Sequence, residues 1–129
     1  MRAVDTNVLV RLITRDDAKQ LKAAEGFVEN GAWVSVLALA ETTWVLAAVY
    51  DRSPVAIATA IEMLLNHRTL TLQDPEVVAA ALSTFRKQPA LGYSDCLLLE
   101  LARRAGHLPL GTFDRNLARL DGTEKLNSR

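Results

Sequence analysis

The chain has 129 residues, half of them apolar, and its 15 basic residues balance 15 acidic ones. That is enough apolar material for the core of one domain, and it excludes both a disordered tail and a strongly basic nucleic-acid footprint. The single cysteine, Cys96, can form no internal disulfide. In chain order, "RAVD" reads as a short strand that does not alternate and is therefore expected to be buried on both faces. "NVLVRLIT" and "DDAKQLKAAEGFVENG" read as helices, the second with a stripe of Leu21, Ala24, Phe27 and Val28 and a stop at Gly31. "AWVS" is a second strand, followed by the mostly apolar helix "VLALAETTWVLAAVY". Ser53 and Pro54 open "PVAIATAIEMLLNH" as N-cap and first helical residue. "TLTL" is a third strand, and Asp74-Pro75 starts "PEVVAAALSTFRKQ" by the same device. "YSDCLLLELARRAG" is a helix closed by Gly106. "LPLGTF" is a fourth strand, "DRNLARL" a short final helix, and Lys125-Leu126 mark a fragment of a fifth strand.

Short buried strands alternating with helices predict an α/β fold, a single domain over 1–129 with a parallel sheet covered on both faces. The apolar stretch 32–50 is interrupted by Glu41, Thr42 and Thr43, short of the uninterrupted span of about 20 residues that a membrane helix needs. Asp5 follows Arg2 too closely for a signal peptide, so a cytoplasmic protein with no membrane segment is expected.

In parallel sheets, ligands bind beyond the carboxyl ends of the strands. Asp5 ends the first strand inside an otherwise apolar run, and Asp114 follows the fourth, so both are expected on one rim. Asp5, Asp95 and Asp114 also stand where helices begin, which leaves helix capping as an alternative role. Glu41 lies in mid-helix, and its neighbours three and four residues away are Leu37, Ala38, Trp44 and Val45. All are apolar, which predicts that Glu41 faces the core, where a lone carboxylate is costly unless paired with an arginine or bound to metal. Asp95 shares a face with Leu98, Leu99 and Ala102, opposite Glu100, Arg103, Arg104 and His107. Four such acids would repel one another unless a divalent cation sat among them. Oxygen-only ligands favour Mg2+ or Mn2+ over Zn2+. Such an ion lowers the pKa of bound water and stabilises charge on a phosphoryl group, so the residues read as metal-dependent phosphoryl chemistry.

The same stretches resemble the PIN domains, and within them the VapC-type toxins of prokaryotic toxin–antitoxin pairs. "DTNVLVRLITRDD" resembles the first acidic motif of that family, with Asp5 and its polar neighbour Asn7. "LALAETTWVL" resembles the second, with Glu41; "YSDCLLLELA" the third, with Asp95; "GTFDRNLARL" the last, with Asp114 and Thr112. The resemblance runs over nearly the whole chain. It implies a three-layer α/β/α fold with a short, mainly parallel sheet of four to five strands. It implies a Mg2+- or Mn2+-dependent endoribonuclease, a homodimer, and a cognate antitoxin whose tail blocks the acidic groove. On this resemblance Asp5, Asp95 and Asp114 hold the ion directly, Glu41 directly or through water, and Asn7 and Thr112 orient carboxylates or water. One departure is Leu91-Gly92, where some relatives carry a further acid. Alternatives within the fold are a housekeeping nuclease and a non-catalytic domain that binds RNA or protein. A haloacid-dehalogenase-type phosphatase fits less well, because Asn7 stands where that chemistry wants a second aspartate.

Arg15, Arg86 and Arg115 are candidate contacts for an RNA backbone, and His67 and His107 read as helix-end residues. The few aromatic residues argue against stacking recognition of many bases. Cys96 reads as a small core residue, and Trp33 and Trp44 as core or dimer-interface residues. Leu64, Leu65 and the helix before them suit either a core or a dimer contact.

Overall fold

In the computed structural model, which describes residues 1–128, three short strands pair in parallel in the order β1 (Arg2–Ala3), β2 (Ala32–Val34) and β3 (Leu70–Leu72). Ala32 stands opposite Arg2 on one side and Leu70 on the other, and Val34 opposite Leu72. The residues of the chain cluster into two compact units, Met1–Pro75 and Glu76–Arg129. The first holds these three strands together with α1 (Thr6–Thr14), α2 (Ala18–Val28), α3 (Val36–Ala48) and α4 (Pro54–Leu65).

The strands are less buried than their lack of alternation suggests. In β2 and β3 the outer residues are buried and the middle ones, Trp33 and Thr71, are exposed; in β1 both Arg2 and Ala3 are exposed. In strands this short the pleat sends alternate side chains to opposite faces, and their middle residues stay open to solvent.

Each helix of this unit begins at a polar side chain that accepts an otherwise unpaired backbone N–H. Asp5 accepts from Val8, Asp17 from Gln20, Ser35 from Ala38 and Ser53 from Ala56, with Pro54 at the first helical position as expected. The core is built from Leu9 and Val10 of α1, Leu39 and Leu46 of α3, Ile57, Ile61 and Leu64 of α4, and Val34 of β2. Each such side chain contributes about 1.5–3 kcal/mol when removed from water. Leu64 is thereby a core residue. A polar clasp closes the end of α1. Arg11 donates through Nη1 to Asp16 at 2.7 Å and to the Tyr50 hydroxyl at 3.0 Å, and through Nε to Gln20 at 2.6 Å.

The second unit contains nearly all of α5 (Pro75–Lys87), α6 (Tyr93–Ala105), β4 (Leu110–Thr112) and β5 (Thr123–Lys125). β4 and β5 form a parallel pair. The buried Tyr93 hydroxyl donates to the Val78 carbonyl at 2.9 Å, and its ring meets Phe85 edge-on at 5.8 Å. Arg104 pairs with Glu76 at 2.6 Å. Gly106 closes α6 at φ 83°, a conformation that costs glycine little.

Two local expectations are corrected. Asp74 enters α5 at φ 45°, in the left-handed region, whereas Ser53 takes the extended backbone of an N-cap; the two helix starts do not share one device. The final helix is only a three-residue 3-10 turn, Leu117–Arg119. Among the described residues no helix is long and apolar enough to cross a membrane.

Candidate functional site

Asp5 stands immediately after the β1 ladder, where Val4 still donates its N–H to the Trp33 carbonyl. Its Oδ1 accepts the Val8 N–H at 3.1 Å, so the side chain is pinned at the head of α1 while exposed to solvent. The next residue, Thr6, donates its hydroxyl to Oε2 of Glu41 at 2.8 Å. The carboxylate of Glu41 is thus held at the first turn of α1, adjoining the position of Asp5. Thr6 was not singled out from sequence. The available signal was a hydroxyl directly after Asp5, at the first helical position. Asn7 is exposed on the same turn.

The expected burial of Glu41 is corrected. Glu41 is exposed, as are Leu37 at 67 % and Trp44 at 66 %. The buried face of α3 carries Ala38, Leu39, Thr42, Thr43 and Leu46 instead. Glu41 therefore bears no large desolvation cost, and among the described residues no cation pairs with it. Trp44 is not a core residue, and Trp33 is 37 % exposed.

In the second unit Asp95 lies in the first turn of α6, half-buried, and makes no capping bond; the N-cap is Gly92. Burial, and then the charge of Asp114, push its carboxyl above the usual carboxylate range. Leu99 beside it is buried, whereas Leu98 is 54 % exposed. Asp114 is exposed, and its Oδ1 accepts the N–H groups of Asn116 at 2.7 Å and Leu117 at 3.0 Å. Thr112 Oγ1 accepts the Asp114 N–H at 3.0 Å, which fixes the exit from β4. Cys96 is fully buried, and its thiol is pushed up to about 11 by burial and by the charge of Asp95.

Among the described residues no three His, Cys, Asp or Glu side chains gather into a group that could hold a metal ion. Asp5 and Glu41 lie in the first unit, Asp95 and Asp114 in the second. The donors are all carboxylate oxygens, the chemistry of Mg2+ and Mn2+. The mutual charge of Asp95 and Asp114 is the kind that a cation relieves.

A cavity of about 670 Å3 lies elsewhere, at the N-terminal edge of the three-stranded sheet. It is lined by Leu12, Arg15, Val28, Met63, His67 and Arg68 among others and holds neither Asp5 nor Glu41. There Nδ1 of His67 accepts the Thr69 N–H at 3.2 Å. Arg15 is exposed and lies 3.7 Å from Glu25; Arg86, Arg115 and His107 are exposed as well.

A family model described as PIN domain matches residues 2–123, nearly the full length. Neither a curated protein nor a solved structure matches the chain significantly.

Proposed function

The chain belongs to the PIN domain family, and from that premise we propose that it is a Mg2+- or Mn2+-dependent endoribonuclease, the toxin of a toxin–antitoxin pair. PIN domains are generally nucleases, so the fold is that of a hydrolase acting on nucleic acid. The finer reading is carried by one observation: in each unit, among the described residues, acids at the family's motif positions are held by neutral donors rather than by cations. Glu41 takes the Thr6 hydroxyl, and Asp114 takes the N–H groups of Asn116 and Leu117.

Asp5, Asp95 and Asp114 are assigned as ligands of the ion, and Glu41 as a ligand directly or through water, by their order in the motifs. A bound Mg2+ or Mn2+ would supply a water of lowered pKa and offset charge at the phosphate. The chain's own contribution is orientation. Asp5 and Asp114 each give one oxygen to backbone N–H groups, which fixes the side chain and leaves the other oxygen for ligation. Thr6 does the same for Glu41. Thr112 holds the backbone of Asp114, and Asn7 orients a carboxylate or water. In the proposed hydrolysis a water oxygen joins phosphorus and the bond from phosphorus to the ribose 3′ oxygen breaks. The products end in a 5′ phosphate and a 3′ hydroxyl. A second copy of the chain and a short antitoxin protein complete the proposal as partners, in the cytoplasm.

The test is cleavage of total bacterial RNA by the purified chain, with Mn2+ and with a chelator, beside Asp5→Asn. Metal-dependent cleavage that the substitution abolishes supports the reading. A chelator-insensitive rate unchanged in Asp5→Asn overturns it. For the toxin role, expression of the chain alone should arrest growth, and expression with its gene neighbour should restore it.

A further inference from the structure

Seven aromatic side chains occur in the chain, and five have a place in their own unit. Phe85 and Tyr93 pack against each other, Tyr50 joins the Arg11 clasp, Phe27 lies 3.9 Å beneath the guanidinium of Arg2, and Trp33 is on β2. The other two, Trp44 at 66 % and Phe113 at 64 %, are the aromatics that stand more than half exposed among the described residues. Both adjoin an acid of the candidate site. Trp44 is three residues after Glu41 on the exposed face of α3, and residues at that spacing are surface neighbours about 5–6 Å apart at Cβ. Phe113 directly precedes Asp114.

Given the ribonuclease reading above, we infer that Trp44 is a stacking platform for substrate bases and helps to set which nucleotides are cut. An exposed indole offers a flat π-face that any base can cover, and base–aromatic stacking survives in water. A protein partner seated on the same face would have to enclose Glu41. Among the described residues its carboxylate has the Thr6 hydroxyl as its hydrogen-bond partner, so a dry protein contact would have to bring its own cation or donor to it. A stacked base leaves that carboxylate open to solvent. One platform also agrees with the small number of aromatics: it serves a base or two rather than a long run.

The experiment uses the full chain on an unstructured RNA oligonucleotide and on the same RNA annealed to its complement. Trp44→Leu keeps apolar bulk but loses the ring; Trp44→Phe keeps a ring. Thermal melting confirms that both variants fold. With Mn2+, Trp44→Leu should raise KM for the unpaired RNA roughly 5- to 150-fold, the equivalent of about 1–3 kcal/mol of stacking, with kcat little changed. Trp44→Phe should restore most of the loss. In a Trp33→Phe background, with Ca2+ replacing Mn2+, the RNA should quench the remaining indole fluorescence, and the duplex should not. A KM for Trp44→Leu equal to that of the unsubstituted chain overturns the inference while leaving the nuclease reading intact. So does loss of self-association in Trp44→Leu without a change in KM, which would assign the face to a protein contact. Failure of the unsubstituted chain to cut any RNA with Mn2+ is a different result, and it removes the nuclease reading itself.

Discussion

The hydroxyl of Thr6 donates to Oε2 of Glu41 at 2.8 Å, joining the first turn of α1 to the middle of α3 across 35 positions of sequence. Both residues sit at or near the surface, so the bond adds little to stability. Its consequence is directional: it fixes one oxygen of Glu41 and leaves the other to face solvent. Thr6→Val keeps the shape and removes the donor. Such a loss behind a ligating carboxylate typically costs about 10- to 100-fold in metal affinity or activity. The Mn2+ concentration for half-maximal RNA cleavage should rise by about that factor while the melting temperature stays close to that of the unsubstituted chain. An unchanged Mn2+ requirement would assign the bond to packing alone.

Asp5 and Asp114 have two separable roles. As helix or turn starters they accept backbone N–H groups, and asparagine does this about as well as aspartate. As the metal ligands proposed above they would need the charge. Asp5→Asn and Asp114→Asn should therefore abolish cleavage with little change in melting temperature, whereas Asp5→Ala should also lose about 1 kcal/mol of stability. Activity and denaturant unfolding measured on the same preparations separate the two roles.

Asp95 is half-buried, and burial, then the like charge of Asp114, disfavour its ionised form. Asp95→Asn removes one charge at nearly constant volume. At neutral pH the metal-free variant should melt at a higher temperature than the unsubstituted chain, and added Mn2+ should stabilise it less. Equal stabilisation by Mn2+ in both proteins would rule Asp95 out as a ligand.

Asp16 carries the pH dependence of the α1 clasp. Its carboxyl is held below the ordinary value by the Thr14 hydroxyl, with Arg11 and Tyr50 assisting. A depressed folded-state pKa means that the unfolded chain takes up the proton first as the solution is acidified. The stabilisation is therefore present above the ordinary carboxylate range and is lost as pH falls through the lower folded value. Asp16→Asn should melt below the unsubstituted chain at pH 7, and the two curves should converge in strong acid. A gap that persists there would show that the carboxylate's charge is not the cause.

Cys96 is fully enclosed and its thiol is raised to about 11. At pH 8 the thiol therefore stays protonated, and the sulfur is out of reach of a reagent. Alkylation should be undetectable in the folded chain and fast in denaturant. The raised folded value also means that the thiol's contribution to stability is complete below the unfolded pKa and declines as pH rises through the folded one.

Much of this architecture could be read from local chemistry. Ser53 followed by Pro54 marks a helix start through one hydroxyl and one fixed φ, and Gly106 marks a helix end through its tolerance of positive φ. The final helix was over-read because Asp114 accepts the N–H groups of Asn116 and Leu117 and closes a tight turn there. Apolar side chains alone do not distinguish such a turn from a helix.

The four acids and the sequence of strands and helices were legible because spacing, caps and residue type act over a few positions along one chain. The exposure of Glu41 was not, for a reason specific to α3. That helix has apolar residues on every side, so its periodicity has no polar face to aim outward. Which side is buried depends on where neighbours such as α1 and α4 pack against it; Leu39, Thr42 and Leu46 are buried, and Leu37, Glu41 and Trp44 stay open. The sequence by itself determined which elements form and which acids the chain carries; tertiary packing alone decided which face of α3 meets water and which hydroxyl reaches Glu41, because both depend on neighbours distant in the chain.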